Sequence, residues 1–244
     1  MNILAIETTG AAASVAIINE REEVFEETSE QKLNHLQNLM PMVDQLLSKC
    51  GLLIDDLSYI AVSEGPGSFT GIRIGVSSAR ALAQALGLKT ISVPTLKSFA
   101  YHVPEEKGII CPIFDARRGQ VYGGAYRWNE NGICSEVVQG AAYELKELLE
   151  NLTEKLMKTD KKTVTFFGDG IAPYQAQIKE WQDLSLNDDI HVLLAPDDSR
   201  LQKASSIAKL AYQMYLAGEW KNFYDLKPNY MRKPEAERKL EEKS

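Results

Sequence analysis

The sequence predicts a mixed-sheet α/β fold made of two similar halves. Three short strand-like runs open the chain at residues 3–7, 14–19 and 22–28, and small residues between the first two indicate a tight turn and an antiparallel start. Helical and strand-like segments then alternate. The resulting order, βββαβαβ, is typical of a mixed sheet covered by helices.

The first half is completed by four elements with clear periodicity. The strand near residue 60 stops at a glycine-rich loop, and the helix after that loop is rich in alanine. In order, the predicted elements are a helix at 32–50, a strand at 59–63, a helix at 71–86 and a strand at 90–93.

The second half repeats this plan in element order, although the two halves share no visible sequence identity. The turn sequence at residues 129–132 separates its second and third strands. The predicted elements are strands at 109–114, 121–127 and 133–138, a helix at 142–158, a strand at 163–167, a helix at 172–182, a strand at 191–194 and a helix at 203–217.

These boundaries predict two lobes and a tail. Residues 1–103 form the N-terminal lobe and residues 104–231 the C-terminal lobe, with the final helix at 203–217 as a candidate for packing back on the first lobe. Residues 232–244 are almost entirely charged, so we expect a short solvated tail.

Composition limits the classes of function. The chain has 244 residues, 44% hydrophobic content and a net charge of −7, so it can form a large core but lacks the overall basic charge of a stand-alone nucleic-acid binder. No stretch approaches the roughly 20 apolar residues that span a bilayer. We expect a cytoplasmic protein that reaches tRNA only with help and does not contact membranes.

The glycine-rich loop from Gly65 to Gly71 is the most conspicuous motif. It joins a strand to a helix, where backbone N–H groups can bind a phosphate. It lacks the Gly-Lys-Ser/Thr ending of a Walker loop, and the next strand ends without the acid that a dinucleotide site needs. A phosphate site and a tight turn that lets the helix pack closely both remain open.

Two acids lie at the ends of predicted strands. Glu7 precedes Thr8 and Thr9, and Asp115 is followed by two arginines. Each acid is a candidate for an anion or nucleotide site, or for a turn in which the carboxylate accepts backbone N–H groups. The three histidines are dispersed and form no metal motif, which excludes a metalloprotease of the HExxH type. No nucleophile paired with a general base can be read from the sequence.

Both helices of the first half carry more apolar surface than one core face requires. The apolar arc is about 140–180° wide in the first helix and about 220° in the second, which predicts contact with another element or another chain. Complete burial within the chain is the alternative. The predicted partner interface comprises Leu36, Leu39, Met40, Val43, Gly71, Gly75, Ser78, Ala79 and Leu82.

Three segments carry a family resemblance: MNILAIETTGAAASVAI, then SEGPGSFTGIRIGVSSARALAQALGLKTISVPTLKSFA, then IFDARRGQVYGGAY. In order and spacing they resemble the TsaB (YeaZ) family over residues 1–128. The resemblance implies an actin-like ATPase (ASKHA) fold of two βββαβαβα lobes. It also implies a vestigial nucleotide site with weak binding of ATP or ADP, formed by Glu7, Thr8, Thr9, Asp115, Gly168 and Gly170, to which the glycine-rich loop would add Gly65 and Gly67.

The function implied by this resemblance is that of a non-catalytic partner. TsaD, the catalytic relative, would form a heterodimer with the chain, and TsaE would complete a complex that makes N6-threonylcarbamoyladenosine next to the anticodon in tRNAs reading codons that begin with A. Alone, the chain would form a homodimer. The two metal-binding histidines of TsaD would fall at Thr95 and Phe99, so we expect no metal and no required cofactor. An actin-fold small-molecule kinase or ATPase is the alternative.

Overall fold

The structure is a computed structural model that describes residues 1–29, 35–103, 108–159, 161–184 and 189–231, without the side chains of residues 35–37. The first lobe contains β1 (Asn2–Glu7), β2 (Ser14–Asn19), β3 (Val24–Thr28), α1 (His35–Cys50), β4 (Tyr59–Gly65), α2 (Phe69–Leu86), β5 (Lys89–Pro94) and α3 (Thr95–Ser98). The second contains β6 (Ile109–Arg117), β7 (Gln120–Trp128), β8 (Cys134–Glu144), α4 (Leu145–Leu156), β9 (Thr163–Phe167), α5 (Ile171–Leu184), β10 (His191–Leu194) and α6 (Ala204–Leu216).

The two lobes share one sheet topology. The first sheet has the order β5-β4-β1-β2-β3, extended at its β5 edge by a short strand, β11 (Lys221–Asn222), and the second has the order β10-β9-β6-β7-β8. In each sheet the first three strands pair antiparallel and the next two join parallel, while the short β11 pairs antiparallel with β5. The duplicated βββαβαβα order confirms the predicted actin-like fold.

Helices cover both faces of the first sheet. α1 and α2 pack on one face, where Leu39 and Val76 contact a core that includes Ile6. α6 packs on the opposite face, where Ile207 joins a core that includes Ile3. Because β1 is buried on both faces, its sequence is an almost continuous apolar run rather than an alternating one.

The second lobe has one fully covered sheet face. α4 and α5 enclose a core around Leu148 and Phe166 on that face. The opposite face meets the first lobe through a smaller cluster around Phe99 and Phe114. The two lobes therefore share a junction lined by aromatic side chains.

The strand β8 differs from the prediction. It continues to Glu144, and α4 begins at Leu145 rather than near residue 142. Two alanines at 141 and 142 favour helix by propensity, but β7 pairs with this segment as far as Gln120 opposite Glu144. Tertiary pairing overrides local propensity here.

The remaining predicted elements are found within a few residues of their expected bounds. The first three residues of the predicted helix at 32–50 and the tail at 232–244 lie outside the described residues. No described helix combines the length and apolar character that crossing a bilayer requires.

Candidate functional site

The end of β1 forms a buried turn around its own carboxylate. The backbone N–H and the hydroxyl of Thr9 donate to Glu7 Oε1 at 2.5 and 2.6 Å. Glu7 Oε2 is buried and has no hydrogen-bond partner among the described residues. Burial is the main cause that raises the pKa of Glu7 above its usual range. This geometry matches the second interpretation of Glu7, a turn in which the carboxylate accepts local donors.

The glycine loop packs directly on this turn. Ser68 N donates to Thr9 O at 2.8 Å, and the Ser68 hydroxyl accepts from Gly71 N at 3.3 Å as the N-cap of α2. A Cβ atom at Gly67 would lie 2.6 Å from Thr9 Cβ, and one at Gly71 would lie 1.9 Å from Thr8 O. Close packing thus accounts for both glycines, as in the tight-turn interpretation. A contact of Gly65 or Gly67 with a nucleotide stays a prediction.

The acid of the second lobe also organises a turn. Asp115 Oδ1 accepts from Arg117 N at 2.8 Å and from the Tyr174 hydroxyl at 3.2 Å. Arg117 and Arg118 have left-handed backbones with φ of 64° and 57°. This conformation is uncommon for residues other than glycine and asparagine. The Asp115 carboxylate therefore stabilises a strained hairpin.

The glycines assigned to the adenosine loop pack against the second sheet. A Cβ atom at Gly168 would lie 2.1 Å from Ile113 O, and Gly170 N donates to Ile113 O at 3.0 Å. Between them, Asp169 Oδ1 accepts from Asp115 N at 3.2 Å. Burial, and secondly the charge of Asp115, raise the pKa of Asp169.

A segment that the sequence did not single out joins the two turns. Arg200 O accepts from Gly168 N at 2.7 Å, and Gln202 lies against Gly10 at the β1–β2 turn. A Cβ atom at Gly10 would meet Gln202 Oε1 at 2.8 Å. Residues 200–202 therefore contact the same turns that the resemblance assigns to nucleotide. No local motif marks this segment, because its position depends on the packing of α6 on the first lobe.

The two positions expected for metal-binding histidines lie in the core. Thr95 is fully buried and its hydroxyl accepts from Gly65 N at 3.2 Å. Phe99 is fully buried and stacks on His102, with ring centroids 4.8 Å apart. Within the described ranges, no three His, Cys, Asp or Glu side chains are grouped closely enough to hold a metal ion.

The predicted interface on α1 and α2 requires a correction. Leu39, Val43 and Ala79 are buried against the chain's own sheet. Gly71 and Gly75 are also buried, and the close approach they allow is to Thr8 rather than to a neighbouring helix. For these five residues the alternative, burial within the chain, holds, because both helices place one wide apolar face on the first sheet.

The rest of the predicted interface is accessible. Met40 is 41% exposed, and Ser78 and Leu82 are half-buried. The side chain of Leu36 lies outside the described residues. A second row of small residues at spacing four is exposed on α2 and was not in the predicted interface: Ser77, Ala81 and Ala85. We call these three residues the outer face of α2; Arg73, Arg80 and Gln84 are exposed beside them.

The family model and the relatives described next are all named for the threonylcarbamoyl modification of tRNA. Residues 24–240 match the family model described as "TsaD: tRNA N6-adenosine threonylcarbamoyltransferase". The tRNA threonylcarbamoyladenosine biosynthesis protein TsaB of Bacillus subtilis is 38% identical over 180 residues, covering 74% of this chain and 76% of that protein. Its Escherichia coli counterpart is 32% identical over 244 residues and 98% of both chains.

A solved structure shows the same fold. YeaZ from Pseudomonas aeruginosa superposes with a TM-score of 0.73 and 24% sequence identity, covering 94% of this chain and 99% of that chain.

Proposed function

The chain belongs to the TsaB (YeaZ) family, and from this premise we propose that it is a non-catalytic partner of a TsaD-type enzyme in the formation of N6-threonylcarbamoyladenosine on tRNA. The modified adenosine is the one next to the anticodon in tRNAs that read codons beginning with A. TsaE completes the assembly, which acts in the cytoplasm.

The position of Thr95 and Phe99 supports a non-catalytic role. The enzyme relative needs two metal-binding histidines at these places, and here both side chains are fully buried. Thr95 is engaged with Gly65, and Phe99 packs between aromatic rings. A hydroxyl committed to the backbone and an apolar ring supply no ligand set for iron or zinc. This chain requires no metal or cofactor of its own.

The packing of the turns supports weak nucleotide binding at most. The glycine loop rests on Thr8 and Thr9, while Arg200 and Gln202 contact the turns of both lobes. A phosphate that entered between these turns would have to displace contacts within the chain. The same packing argues against the alternative function, an actin-fold small-molecule kinase or ATPase.

We place the partner surface on the exposed sides of α1 and α2. Met40 and the outer face of α2, formed by Ser77, Ala81 and Ala85, offer apolar and small side chains on which another helix can pack closely. In the heterodimer this surface contacts TsaD, and alone it forms an isologous homodimer. tRNA is reached only through the complex, because a net charge of −7 gives little affinity for phosphates.

Reconstitution tests the proposed function. Purified TsaD, TsaE and tRNA from the same organism are supplied with ATP and threonylcarbamoyl-adenylate as the donor of the group, and are assayed for threonylcarbamoyladenosine with and without this chain. We expect product only when the chain is present. The matched variants Ala81→Arg and Ala176→Arg then separate the partner surface from general surface charge, since Ala176 is exposed on α5 in the other lobe. Full activity without the chain, or ATP turnover by the chain alone, would overturn the proposal.

A further inference from the structure

A cavity lies at the junction of the lobes, apart from the helix pair that we assign to the partner. Its volume is about 430 Å³, within the range of small-molecule sites. One wall comes from the start of α6 and another from residues 101–103, while β9 and β10 provide the floor. Because α6 and the α1–α2 pair cover opposite faces of the first sheet, the cavity is separate from the proposed partner surface.

The floor of this cavity is apolar. Phe167 and Leu193 lie on the face of the second sheet that α4 and α5 leave uncovered, and Ala195 and Pro196 continue it. Leu193 is 50% exposed. An apolar surface of this kind favours the uncharged body of a ligand, since its burial removes hydrocarbon from water.

Two cations also line the cavity. Lys203 and Lys209 both line the cavity and are half-buried. Within the described part of the chain, neither lysine forms an ion pair. The protein as a whole is acidic, with a net charge of −7. Two half-buried ammonium groups beside one cavity gain most from an anion that neutralises both.

A hydroxyl at the cavity also lacks a partner. Thr165 lines the floor, is 8% exposed, and its Oγ1 atom has no hydrogen bond among the described residues. An unsatisfied buried hydroxyl is unfavourable, and because Oγ1 has almost no exposed surface, a ligand acceptor would relieve that penalty after a rotation of the Thr165 side chain. His102, by contrast, already uses both ring nitrogens, with Leu201 O at 2.9 Å and Ser206 Oγ at 2.8 Å.

We propose that this cavity binds a small organic anion, in which a phosphate or carboxylate group bound by Lys203 and Lys209 is attached to an apolar body of about the size of an aromatic ring. The body rests on Phe167 and Leu193, and Thr165 provides a hydrogen bond. Lys209 also borders a second cavity of about 300 Å³ beside Trp128, so a longer ligand has room to extend.

Four probes test the proposal on the full chain. Phenyl phosphate, phenol, inorganic phosphate and adenosine monophosphate are titrated separately, with binding followed by calorimetry and by the amide NMR signals of Thr165, Ala195 and Lys209. We expect phenyl phosphate to shift these signals and to bind at least about tenfold more tightly than phenol or inorganic phosphate. Tighter binding of adenosine monophosphate than of phenyl phosphate would identify the ligand of the cavity as a nucleotide. Weaker binding of adenosine monophosphate would identify it as a non-nucleotide aryl or acyl anion.

Variants identify the groups responsible. The double variant Lys203→Gln, Lys209→Gln should weaken phenyl phosphate about tenfold or more and leave phenol unchanged, because only the charge-assisted contacts are lost. Lys179→Gln, which removes an exposed lysine elsewhere on the second lobe, is the matched control. Thr165→Val should weaken phenyl phosphate a few-fold while raising the Tm of the free chain, since the unpaired hydroxyl is removed.

Two results would overturn the proposal. One is phenyl phosphate binding that is no tighter than that of phenol and inorganic phosphate. The other is equal binding by the wild-type chain and the double lysine variant, with thermal unfolding showing both to be folded. Neither result bears on the proposed role with TsaD, which the reconstitution assay tests independently.

Discussion

The carbonyl oxygen of Thr8 occupies the space that a side chain at Gly71 would need, at 1.9 Å from the ideal Cβ position. The Thr8 hydroxyl in turn donates to Gly71 O at 2.8 Å. The first turn of α2 is therefore held directly on the end of β1. This contact fixes the helix, and with it the outer face of α2, relative to the first sheet.

Gly71→Ala should destabilise the chain by about 2 kcal/mol or more, because a methyl group would force α2 away from Thr8. Alanine has the better helix propensity by about 1 kcal/mol, so the loss cannot come from the helix itself. Urea unfolding measures the change. Ser77→Ala, at an exposed position of the same helix, should stay within about 0.5 kcal/mol of wild type. Equal stability of the two variants would contradict the packing described.

Ala79→Arg and Ala81→Arg should separate folding from association. Ala79 is fully buried, so a charged side chain there should lower the Tm markedly. Ala81 is exposed, so its variant should fold normally but lose most of its association with TsaD and with itself. Thermal unfolding and sedimentation at matched concentration give the two readouts. If Ala81→Arg is folded and still fully associated, the partner surface lies elsewhere.

Glu7→Gln should change how stability depends on pH. The pKa of Glu7 is raised by burial, so the folded chain holds a proton on this carboxyl that the unfolded chain releases above pH 4.5. The stability that the protonated Glu7 carboxyl contributes is fully present below that pH. It is lost as the pH rises through the pKa that Glu7 has in the folded chain. Gln mimics the protonated form, so the variant should gain stability relative to wild type at neutral pH and lose that advantage near pH 4. Chemical unfolding at both pH values provides the measurement, and a constant difference would show that Glu7 does not titrate as described.

His102 should make stability depend on pH in the opposite direction. Burial lowers its pKa from 6.5 to about 4, so the unfolded chain binds the proton first. The contribution is present above pH 6.5 and is lost as pH falls toward 4, by up to about 3 kcal/mol. We expect the stability advantage of wild type over His102→Gln to shrink by that amount between pH 7 and pH 4. The expectation fails if the advantage is the same at both pH values.

The purified chain should contain iron or zinc at well below one ion per chain, because Phe99 has no donor atom and the Thr95 hydroxyl, a poor ligand for these metals, is buried and engaged with Gly65 N. Elemental analysis after dialysis measures the content. A tightly held ion at one per chain that is lost in Thr95→Val would show a metal site near this position.

Sequence patterning was sufficient for the architecture. Alternation, turn residues and helical periodicity predicted the order of nearly every described element, because each of these signals acts over a few neighbouring residues. The boundary between β8 and α4 was missed, since pairing with β7 outweighs the helix propensity of Ala141 and Ala142. The motifs around Gly65 and Asp115 also marked the turns at the strand ends, though without deciding what those turns do.

Only the tertiary structure decided which side chains of each helix pack on the core and which stay exposed. The sequence could show that α2 is apolar or small over most of its circumference, but not that Gly75 and Ala79 contact the sheet while Ala81 stays exposed. It could not place Gln202 beside Gly10, or Lys209 and Leu193 around one cavity. The physical reason is that helical and strand periods are set within a few residues of the chain. Burial and cavities arise instead from contacts between segments far apart in sequence, and the positions of those segments depend on how the whole core packs.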